Sequence, residues 1–509
     1  MLKKIKEIIE KIENSKTPLR YFVLSFFFII TLRSFLECFS DDDRIMGGVS
    51  MDLSILIHYL VSYIFLATLI ILIFYFTTKE DILKIFKVIL SGFLILISVP
   101  IIDLMISGGK GFNIAYVFVE NFSHLFLKYL TFFGEFVYGI GATPGIRIEI
   151  FFILLGSFVY FWLKKQTFIW SLFSTLLLYT VIFIYGVIPF FIERIFNFIN
   201  IEYLYTPVLM TNFFLTVLFL TSIPLLYFVN KKYFKIILKD IRPFRILHFE
   251  LMFFLGVILA LKATDFILTA DNLFPFIFIP ISIVFAGLFS IVTNNLEDYE
   301  IDKISNKERP LVKKEIDPIL YMKLGWFFLV VALVYSFAAG FLAFFIITLW
   351  IGNYFLYSMP PFRLKRIPFF SKLIIAFNSL ILIILGFVSI VGCSVSDIPK
   401  LSVLLFLIVF TATINFIDIK DYEGDKKEGI KTLSVLMGLK RSKILISIFF
   451  AIAYLFVIFL TKDLSTLIIF FVLGCLQVYL INRKNYNEKY IFIIYLSSVL
   501  YLITQYLLL

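Results

Sequence analysis

The chain has 509 residues, of which 61% are hydrophobic and only 16% are charged. That much apolar surface cannot be buried inside one water-soluble core, so the composition excludes an ordinary soluble protein and indicates that lipid is the main solvent. The net charge of +11 does not indicate a nucleic-acid partner, because the basic residues lie in short loops between apolar blocks. These blocks of about 17 to 25 residues match the length of a membrane-spanning helix, so we predict an all-α integral membrane protein.

The cysteines and histidines do not indicate a metal or disulfide framework. Cys38, Cys393 and Cys475 follow neither a disulfide nor a zinc-site spacing, and we expect them to be small residues of the helices. The three histidines also lack metal-ligand spacing. One of them, His248, stands at the entrance to an apolar block, where we expect a structural role rather than catalysis.

The first half of the chain contains six apolar blocks. They lie near residues 20–38, 53–76, 83–106, 147–163, 167–191 and 207–229. The less regular stretch 113–140 carries Glu120, His124, Lys128 and Glu135 at helical intervals, so we expect it to lie in the interface or to re-enter the membrane. The pattern predicts an N-terminal membrane domain of about six helices.

No residue of this first half identifies a reaction. Asp103, Arg147 and Glu149 are polar groups at or near membrane depth, where function is one interpretation. We expect helix packing or snorkelling to explain them instead.

A basic, proline-containing segment, Lys231 to Arg245, separates this half from the next run of apolar blocks. Such a change in composition is typical of a domain boundary. We therefore predict a multi-span membrane domain of unknown function over residues 1–237 and a second membrane domain over residues 238–509.

The second half contains nine further apolar blocks. They lie near residues 246–264, 273–294, 318–336, 338–357, 370–392, 400–417, 442–461, 464–481 and 489–508. Every second connecting loop is rich in lysine and arginine, whereas the alternate loops hold few of them. By the positive-inside rule, this pattern predicts a multi-pass protein of the cell membrane with the second and sixth loops in the cytoplasm.

Those two loops also begin with clusters of carboxylates. In the segment 415–433, Asp418, Asp421 and Asp425 are spaced i, i+3, i+7, which places all three on one face of a helix. The segment 293–311 repeats the spacing with three other residues, and a second asparagine stands one turn before the first aspartate of this segment, Asp298. The three are Asn295, Asp298 and Asp302, and the earlier residue is Asn294. Two polar faces with the same geometry indicate two halves of one site.

Several carboxylates at a membrane face repel one another unless a cation neutralises them. Mg²⁺ suits a site of oxygen ligands and commonly joins carboxylates to substrate phosphates. A diphosphate held in this way becomes a better leaving group. Nearby basic residues can add charge-assisted contacts, and the candidates are Arg309, Arg363, Lys365 and Lys420.

The region from about 241 to 509 resembles the UbiA superfamily of membrane prenyltransferases. The family's first signature is similar to Asn294, Asn295, Asp298, Asp302, Arg309 and Pro310. The second resembles Asp418, Asp421 and Asp425 within DIKDYEGD, followed by Gly429 and Thr432-Leu433. A weaker feature is the basic loop YSMPPFRLKR, from Tyr357 to Arg366, and Arg242-Pro243 before the first span also fits.

The resemblance implies a nine-helix bundle around a lipid-lined cavity, with Mg²⁺ as cofactor and the aspartates as catalytic and metal-binding residues. The partners it implies are an isoprenoid diphosphate and a hydrophobic acceptor. Substrate contacts are then expected from Asn294, Asn295, Arg309, Tyr357, Ser358, Arg363, Lys365 and Lys420. One departure is Asn295, which stands where the family usually has aspartate, although an amide oxygen can still bind a metal.

Three interpretations remain open at this point. The first is prenyl transfer to an aromatic or quinone precursor, a lipid-like alcohol or a sugar phosphate. The second is a catalytically weak relative that binds a lipid diphosphate, which the substitution at Asn295 favours. The third is a membrane transporter, but that class requires polar groups at mid-membrane, whereas these carboxylates lie at helix ends.

Overall fold

We describe the protein from a computed structural model that covers residues 2–40, 53–112, 115–135, 141–164, 166–391, 398, 400–427, 429–461 and 464–508. All regular secondary structure in these ranges is helical. The chain divides into two compact units, one formed by Met1–Lys231 with Leu268–Asp271 and the other by Lys232–Ile267 with Asn272–Leu509. Cys393 lies outside the described residues, while Cys38 and Cys475 are free thiols.

The first unit is a bundle of long apolar helices with shorter ones between them. Its α-helices are Leu2–Glu13, Leu19–Ser40, Leu53–Thr78, Ile82–Gly92, Ser98–Ile106, Phe122–Leu130, Pro144–Leu163, Phe168–Gly186, Ile188–Phe198 and Pro207–Val229. A 3₁₀ turn, Phe93–Ile97, joins the fourth to the fifth. Within the irregular stretch 113–140, the described helix Phe122–Leu130 is too short to cross about 30 Å of hydrocarbon.

The second unit contains a helix at each of the nine predicted apolar blocks. Its long helices are Pro243–Ala263, Pro275–Glu297, Pro318–Ala339, Phe341–Ser358, Phe370–Val391, Lys400–Thr413, Leu439–Thr461, Leu464–Asn482 and Glu488–Leu508. Shorter helices are Lys231–Asp240, Tyr299–Ser305, Asp418–Lys427 and Leu433–Met437, with 3₁₀ turns at Leu364–Arg366 and Ile414–Ile417. The residues of the short helix Ala270–Leu273 are divided between the two units.

Several helices begin at residues that favour a helix start. Thr143, Thr167 and Thr206 each accept a hydrogen bond from a backbone N–H in the first turn, and Asp317 accepts two. Proline, which lacks the N–H that the first turn leaves unpaired, follows three of these four caps. These local signals explain why the observed helices begin close to the predicted blocks.

Thirteen described helical segments are long and apolar enough to cross a membrane, six of them before residue 230. Large apolar side chains remain exposed along them, such as Phe28, which is 64% exposed, and Ile169, which is 76% exposed. Such surfaces are stable against hydrocarbon rather than water. The chain is therefore an all-α, multi-pass membrane protein, as predicted. The partition into six and nine spans stays a prediction, because Leu439–Thr461 and Glu488–Leu508 are not among the thirteen segments.

Two glycines allow a close backbone contact between two helices of the second unit's core. Gly256 on Pro243–Ala263 faces Gly386 on Phe370–Val391. A Cβ added at Gly256 would overlap the carbonyl oxygen of Ile383, and one added at Gly386 would overlap that of Phe253. Small residues let membrane helices pack backbone against backbone. These helices support the pocket described next, because each begins beside it.

Candidate active site

The two carboxylate-bearing segments fold as short helices at the ends of long ones. Tyr299–Ser305 follows Pro275–Glu297, and Asp418–Lys427 follows the turn after Lys400–Thr413. The two short helices pack against each other. The predicted convergence of the two segments is therefore seen in the structure, and a pocket of about 160 Å³ lies between them.

The aspartates of both segments line this pocket. They are Asp298, Asp302, Asp418, Asp421 and Asp425. The spacing of the second segment places its three aspartates on the pocket side, as expected from helical periodicity. In the first segment the lining residues include three polar ones that are four apart, namely Asn294, Asp298 and Asp302.

Each of three aspartates is paired with a basic side chain in this conformation. Lys365 Nζ and Arg363 Nη2 both contact Asp298 Oδ1, the second at 3.1 Å. Arg309 pairs with Asp302, which also accepts a hydrogen bond of 3.0 Å from Asn306. Lysine and arginine side chains of the protein thus neutralise the aspartates in this part of the pocket.

The third pair involves a residue that the sequence did not single out for the site. Lys372 Nζ pairs with Asp418 Oδ1, and both side chains are less than a tenth exposed. Lys372 lies in the first turn of Phe370–Val391 and is one of the basic residues of the loops that the sequence shows to be rich in lysine and arginine. Breaking a buried pair of this kind leaves an uncompensated charge, which is strongly destabilising.

The basic groups outside the membrane spans respond to this burial. Desolvation lowers the pKa of Lys365, opposed by the charge of Asp298. Burial also lowers the pKa of Arg309, with Arg245 acting in the same direction and three aspartates opposing it. Both cations are therefore under an electrostatic penalty that an added anion would reduce.

Four predicted residues do not line the pocket. Ser358 is buried and donates a 3.0 Å hydrogen bond to Asn294 Oδ1, so it orients a lining residue. Arg363 contacts the outer side of the site through Glu297 at 3.1 Å as well as Asp298. Lys420 points away, because it pairs with Glu488 at 3.2 Å on an exposed surface. The fourth is Asn295.

The side chain of Asn295 is 1% exposed and forms a network beside the pocket. Its Nδ2 donates to Tyr321 at 2.9 Å and to Asp240 at 3.1 Å. Its Oδ1 accepts from Arg309 at 3.0 Å and also from Arg242. In this conformation two guanidinium groups therefore already use the oxygen that would bind a metal ion.

We expect Asn295→Asp to destabilise the protein rather than to lower the Mg²⁺ concentration needed for activity. The new carboxylate would face Asp240 and could no longer donate to it, and an unsatisfied buried acceptor costs about 1–3 kcal/mol. The melting temperature should fall by several degrees, as measured by thermal unfolding in detergent.

The exchange variant Asp240→Asn with Asn295→Asp is the matched control for this network. It restores one donor opposite one acceptor and should recover most of the lost stability. If Asn295→Asp leaves the melting temperature unchanged and lowers the Mg²⁺ concentration needed for activity, the residue contacts the metal instead.

Several further side chains complete the pocket. Arg245 stands one turn after Arg242 at the start of Pro243–Ala263, and both line it. His248 lines it too, with Nε2 at 2.9 Å from Ser379 Oγ and Nδ1 at 3.0 Å from the hydroxyl of Tyr495. The spacing of Arg242 and Arg245 on one helix face is the signal that could have identified Arg245. No local pattern marks His248.

The donor atoms in the pocket fit a hard cation. Asp418 Oδ2 and Asp421 Oδ1 are buried, and neither has a hydrogen-bond partner among the described residues. Buried carboxylate oxygens rarely remain unpaired unless a water or an ion satisfies them. Among the described residues, this conformation contains no group of three carboxylate, histidine or cysteine side chains close enough together to hold a metal ion. This agrees with the pairing of three aspartates to lysine or arginine.

Together these features define a multi-pass helical membrane protein with an ionic pocket at the ends of its helices. The profile of the UbiA prenyltransferase family matches residues 251–499. A digeranylgeranylglyceryl phosphate synthase from Thermococcus sibiricus is 30% identical over 223 residues, which is 43% of this chain and 74% of that protein. One from Methanococcoides burtonii is 28% identical over 267 residues, or 50% and 83%.

A solved structure of a UbiA homolog from Archaeoglobus fulgidus bound to GPP and Mg²⁺ covers 53% of this chain and 97% of its own, with 22% identity and a TM-score of 0.42. The sequence matches show that the chain belongs to the UbiA prenyltransferase family. The predicted resemblance and the prediction of a prenyl-transferring enzyme are thereby confirmed at the level of the family.

Proposed function

We propose that residues 238–509 transfer an isoprenyl group from an isoprenoid diphosphate to a hydrophobic acceptor with the help of Mg²⁺. The observation that carries the proposal is the meeting of the two aspartate segments in one pocket with basic side chains between them. Residues 1–237 are proposed to form a separate membrane domain.

The charges of the pocket favour a diphosphate that enters together with a cation. The described lining contains five aspartates, and the same number of lysine and arginine side chains faces them: Arg242, Arg245, Arg309, Lys365 and Lys372. These charges balance, so a diphosphate alone would leave the site strongly negative. A divalent cation removes most of that excess and lets the basic groups turn from the aspartates to the phosphate oxygens.

The ligands proposed for Mg²⁺ are Asp298, Asp302, Asp418, Asp421 and Asp425. The two unpaired buried oxygens, on Asp418 and Asp421, are the first candidates. Bound there, Mg²⁺ would neutralise charge on the diphosphate and make it a better leaving group. Asn295 is not included, because its oxygen accepts from two arginines.

The chain's own residues then have separate roles in the reaction. Arg309 and Lys365 would bind phosphate oxygens and stabilise the charge that develops when the bond from the prenyl carbon to the diphosphate oxygen breaks. Tyr354 and Tyr357 line the pocket, and their rings would shield the allylic cation from water. The acceptor hydroxyl forms the new carbon–oxygen bond and loses its proton, for which an aspartate is the available base.

For the acceptor we propose a lipid-like alcohol that carries a glyceryl phosphate, rather than an aromatic or quinone precursor. The two relatives described above are both named digeranylgeranylglyceryl phosphate synthases. The basic residues Arg242 and Arg245 provide charge for a second phosphate within the same pocket.

A direct assay tests this function. The purified full chain in detergent would receive labelled dimethylallyl, geranyl or geranylgeranyl diphosphate with Mg²⁺ and one of three acceptors: a prenylated glyceryl phosphate, a quinone-ring precursor or a sugar phosphate. We expect labelled lipid only with the first acceptor, and loss of product when Mg²⁺ is removed by chelation. Diphosphate binding without turnover on any acceptor would indicate the catalytically weak relative instead.

We also propose that the pocket faces the cytoplasm, since both aspartate segments lie in basic loops. Lys307 and Lys427 are exposed in these loops. In a background without native cysteines, Lys307→Cys and Lys427→Cys should react with an impermeant thiol reagent only in inverted or opened membranes. Labelling in intact cells would show the opposite orientation.

A further inference from the structure

The first unit contains a large cavity that no part of the proposed reaction uses. Its volume is about 890 Å³, and all the residues that line it belong to Met1–Lys231. The lining is mainly aliphatic and aromatic, with a small number of polar side chains. Both the size and this composition are typical of sites for small amphiphilic molecules.

The amphipathic helix Leu2–Glu13 lies at one end of the cavity. Leu2, Ile5 and Ile9 from this helix line it. Glu13, at the end of the helix, is 3% exposed, pairs with Lys164 at 2.7 Å and accepts a 3.0 Å hydrogen bond from Tyr160. These contacts fix the N-terminal helix against the end of Pro144–Leu163.

The other end of the cavity is polar. Arg33, His58 and Glu149 line it there. Arg33 Nε donates to Glu37 at 2.7 Å and its guanidinium lies 4.8 Å from the centre of the Tyr63 ring. His58 Nε2 lies 2.8 Å from the hydroxyl of Tyr116, so these polar groups are held in place.

Glu149 is the exception among them. Its side chain is 4% exposed, yet among the described residues it makes no hydrogen bond and no ion pair within 4 Å. A carboxyl group without a partner at membrane depth is costly. Asp103 and Arg147, the other two polar groups noted near membrane depth, do have partners. Asp103, for example, accepts hydrogen bonds from Thr143 at 2.6 Å and from Gly145 at 2.7 Å.

The cavity is long enough for an extended hydrocarbon chain. His58 and Phe74 both line it and lie on the same helix, Leu53–Thr78. Their separation along the helix axis is about 24 Å at 1.5 Å per residue.

We propose that this cavity binds one long-chain lipid alcohol, with its hydroxyl at Glu149 and its chain directed toward the N-terminal helix. A hydroxyl can donate to Glu149 and accept from Arg33 at the same time. An anionic head group would be repelled by Glu149 and a cationic one by Arg33, so the neutral hydroxyl fits both charges. The chain is isoprenoid or acyl, and the experiment distinguishes these two sources.

The test uses the full chain in detergent and a photoreactive diazirine derivative of a long-chain alcohol. After irradiation and proteolysis, mass spectrometry should find the adducts on peptides of residues 1–231, including those of the helix Pro144–Leu163. Competition with geranylgeraniol and with oleyl alcohol identifies the preferred chain. Adducts confined to residues 232–509 would refute the proposal.

Two variants test the two parts of the proposed site, the polar group at Glu149 and the apolar cavity. Glu149→Leu removes the polar partner. Gly156→Trp introduces a large side chain at the exposed edge of the cavity, since Gly156 lines it and a Cβ added there meets no atom within 4 Å. Each should reduce labelling of the first unit by about tenfold or more, which corresponds to about 1.4 kcal/mol of binding free energy.

The matched control is Gly352→Trp, at an exposed helical glycine of the second unit that also has no atom within 4 Å of an added Cβ. It should be labelled in the first unit as strongly as the wild type. Thermal unfolding identifies any variant that is not folded. Labelling of folded Gly156→Trp at the wild-type level would overturn the proposal, even if Glu149→Leu fails to fold.

Discussion

Asp421→Asn is expected to reduce prenyl transfer by about a hundredfold or more while the fold remains intact. Asp421 lines the pocket and presents a buried Oδ1 without a hydrogen-bond partner among the described residues. Asparagine keeps the size of the side chain but removes the negative charge. Loss of one preorganised electrostatic contact to the reacting groups typically costs about 10²–10³ in turnover.

The same substitution should leave the melting temperature unchanged or raise it slightly. In the ligand-free protein the Asp421 charge adds to the repulsion among the aspartates, and removing it relieves that repulsion. An enzyme that loses activity without losing stability shows that the residue acts on the substrate rather than on the fold. Turnover with labelled geranylgeranyl diphosphate and thermal unfolding of the same preparation measure both effects.

Lys420→Ala is the control at the neighbouring position. Its ammonium group pairs with Glu488 on an exposed surface and does not line the pocket. Exposed ion pairs contribute about 0–1 kcal/mol, so activity and stability should both stay close to those of the wild type. If Asp421→Asn retains full activity, or if Lys420→Ala loses as much, the assignment of the pocket is wrong.

Gly386→Ala is expected to destabilise the second unit strongly. An added Cβ would overlap the carbonyl oxygen of Phe253 and lie 2.8 Å from the nitrogen of Val257. Both contacts are with the backbone of Pro243–Ala263, which cannot move aside as a flexible side chain would. The two helices must separate, and overpacking of this kind costs about 3 kcal/mol or more.

The expected result is a low yield of monodisperse protein and a melting temperature reduced by several degrees or more. Gly352→Ala is the comparison, because its Cβ would meet no atom within 4 Å and alanine favours a helix over glycine. A Gly386→Ala variant as stable as Gly352→Ala would show that these helices are not in backbone contact. Gly256→Ala should resemble Gly386→Ala, because its Cβ would overlap Ile383 from the opposite helix.

The ion pairs of the pocket connect its stability to its proposed function. Lys365 and Lys372 neutralise Asp298 and Asp418 in the ligand-free protein. We propose that the same lysines contact the phosphate when a diphosphate and its cation bind. The basic groups would then stabilise the substrate in that state, as they stabilise the carboxylates of the ligand-free pocket, which contains five aspartates.

The features that the sequence determined by itself are local ones. Runs of apolar residues decided where the long helices lie, because crossing a bilayer requires a fixed length of apolar helix. The spacing of Asp418, Asp421 and Asp425 decided that they share a face, because an α-helix has a fixed period. The resemblance to the UbiA family rests on such short patterns too, and it identified the class of enzyme.

Only the tertiary structure determined the direction in which each helix face points and the residues that it contacts. Asn295 is in register with Asp298 and Asp302 in sequence, yet it faces Asp240 and Tyr321 instead of the pocket. Lys420 lies beside Asp421 but points outward, whereas Lys372, counted among the loop charges, pairs with Asp418. The rotation of a helix about its axis is set by contacts with distant segments, such as Gly256 against Gly386, and local spacing contains no information about those contacts. The same reason explains why the cavity around Glu149 emerged only from the packed first unit.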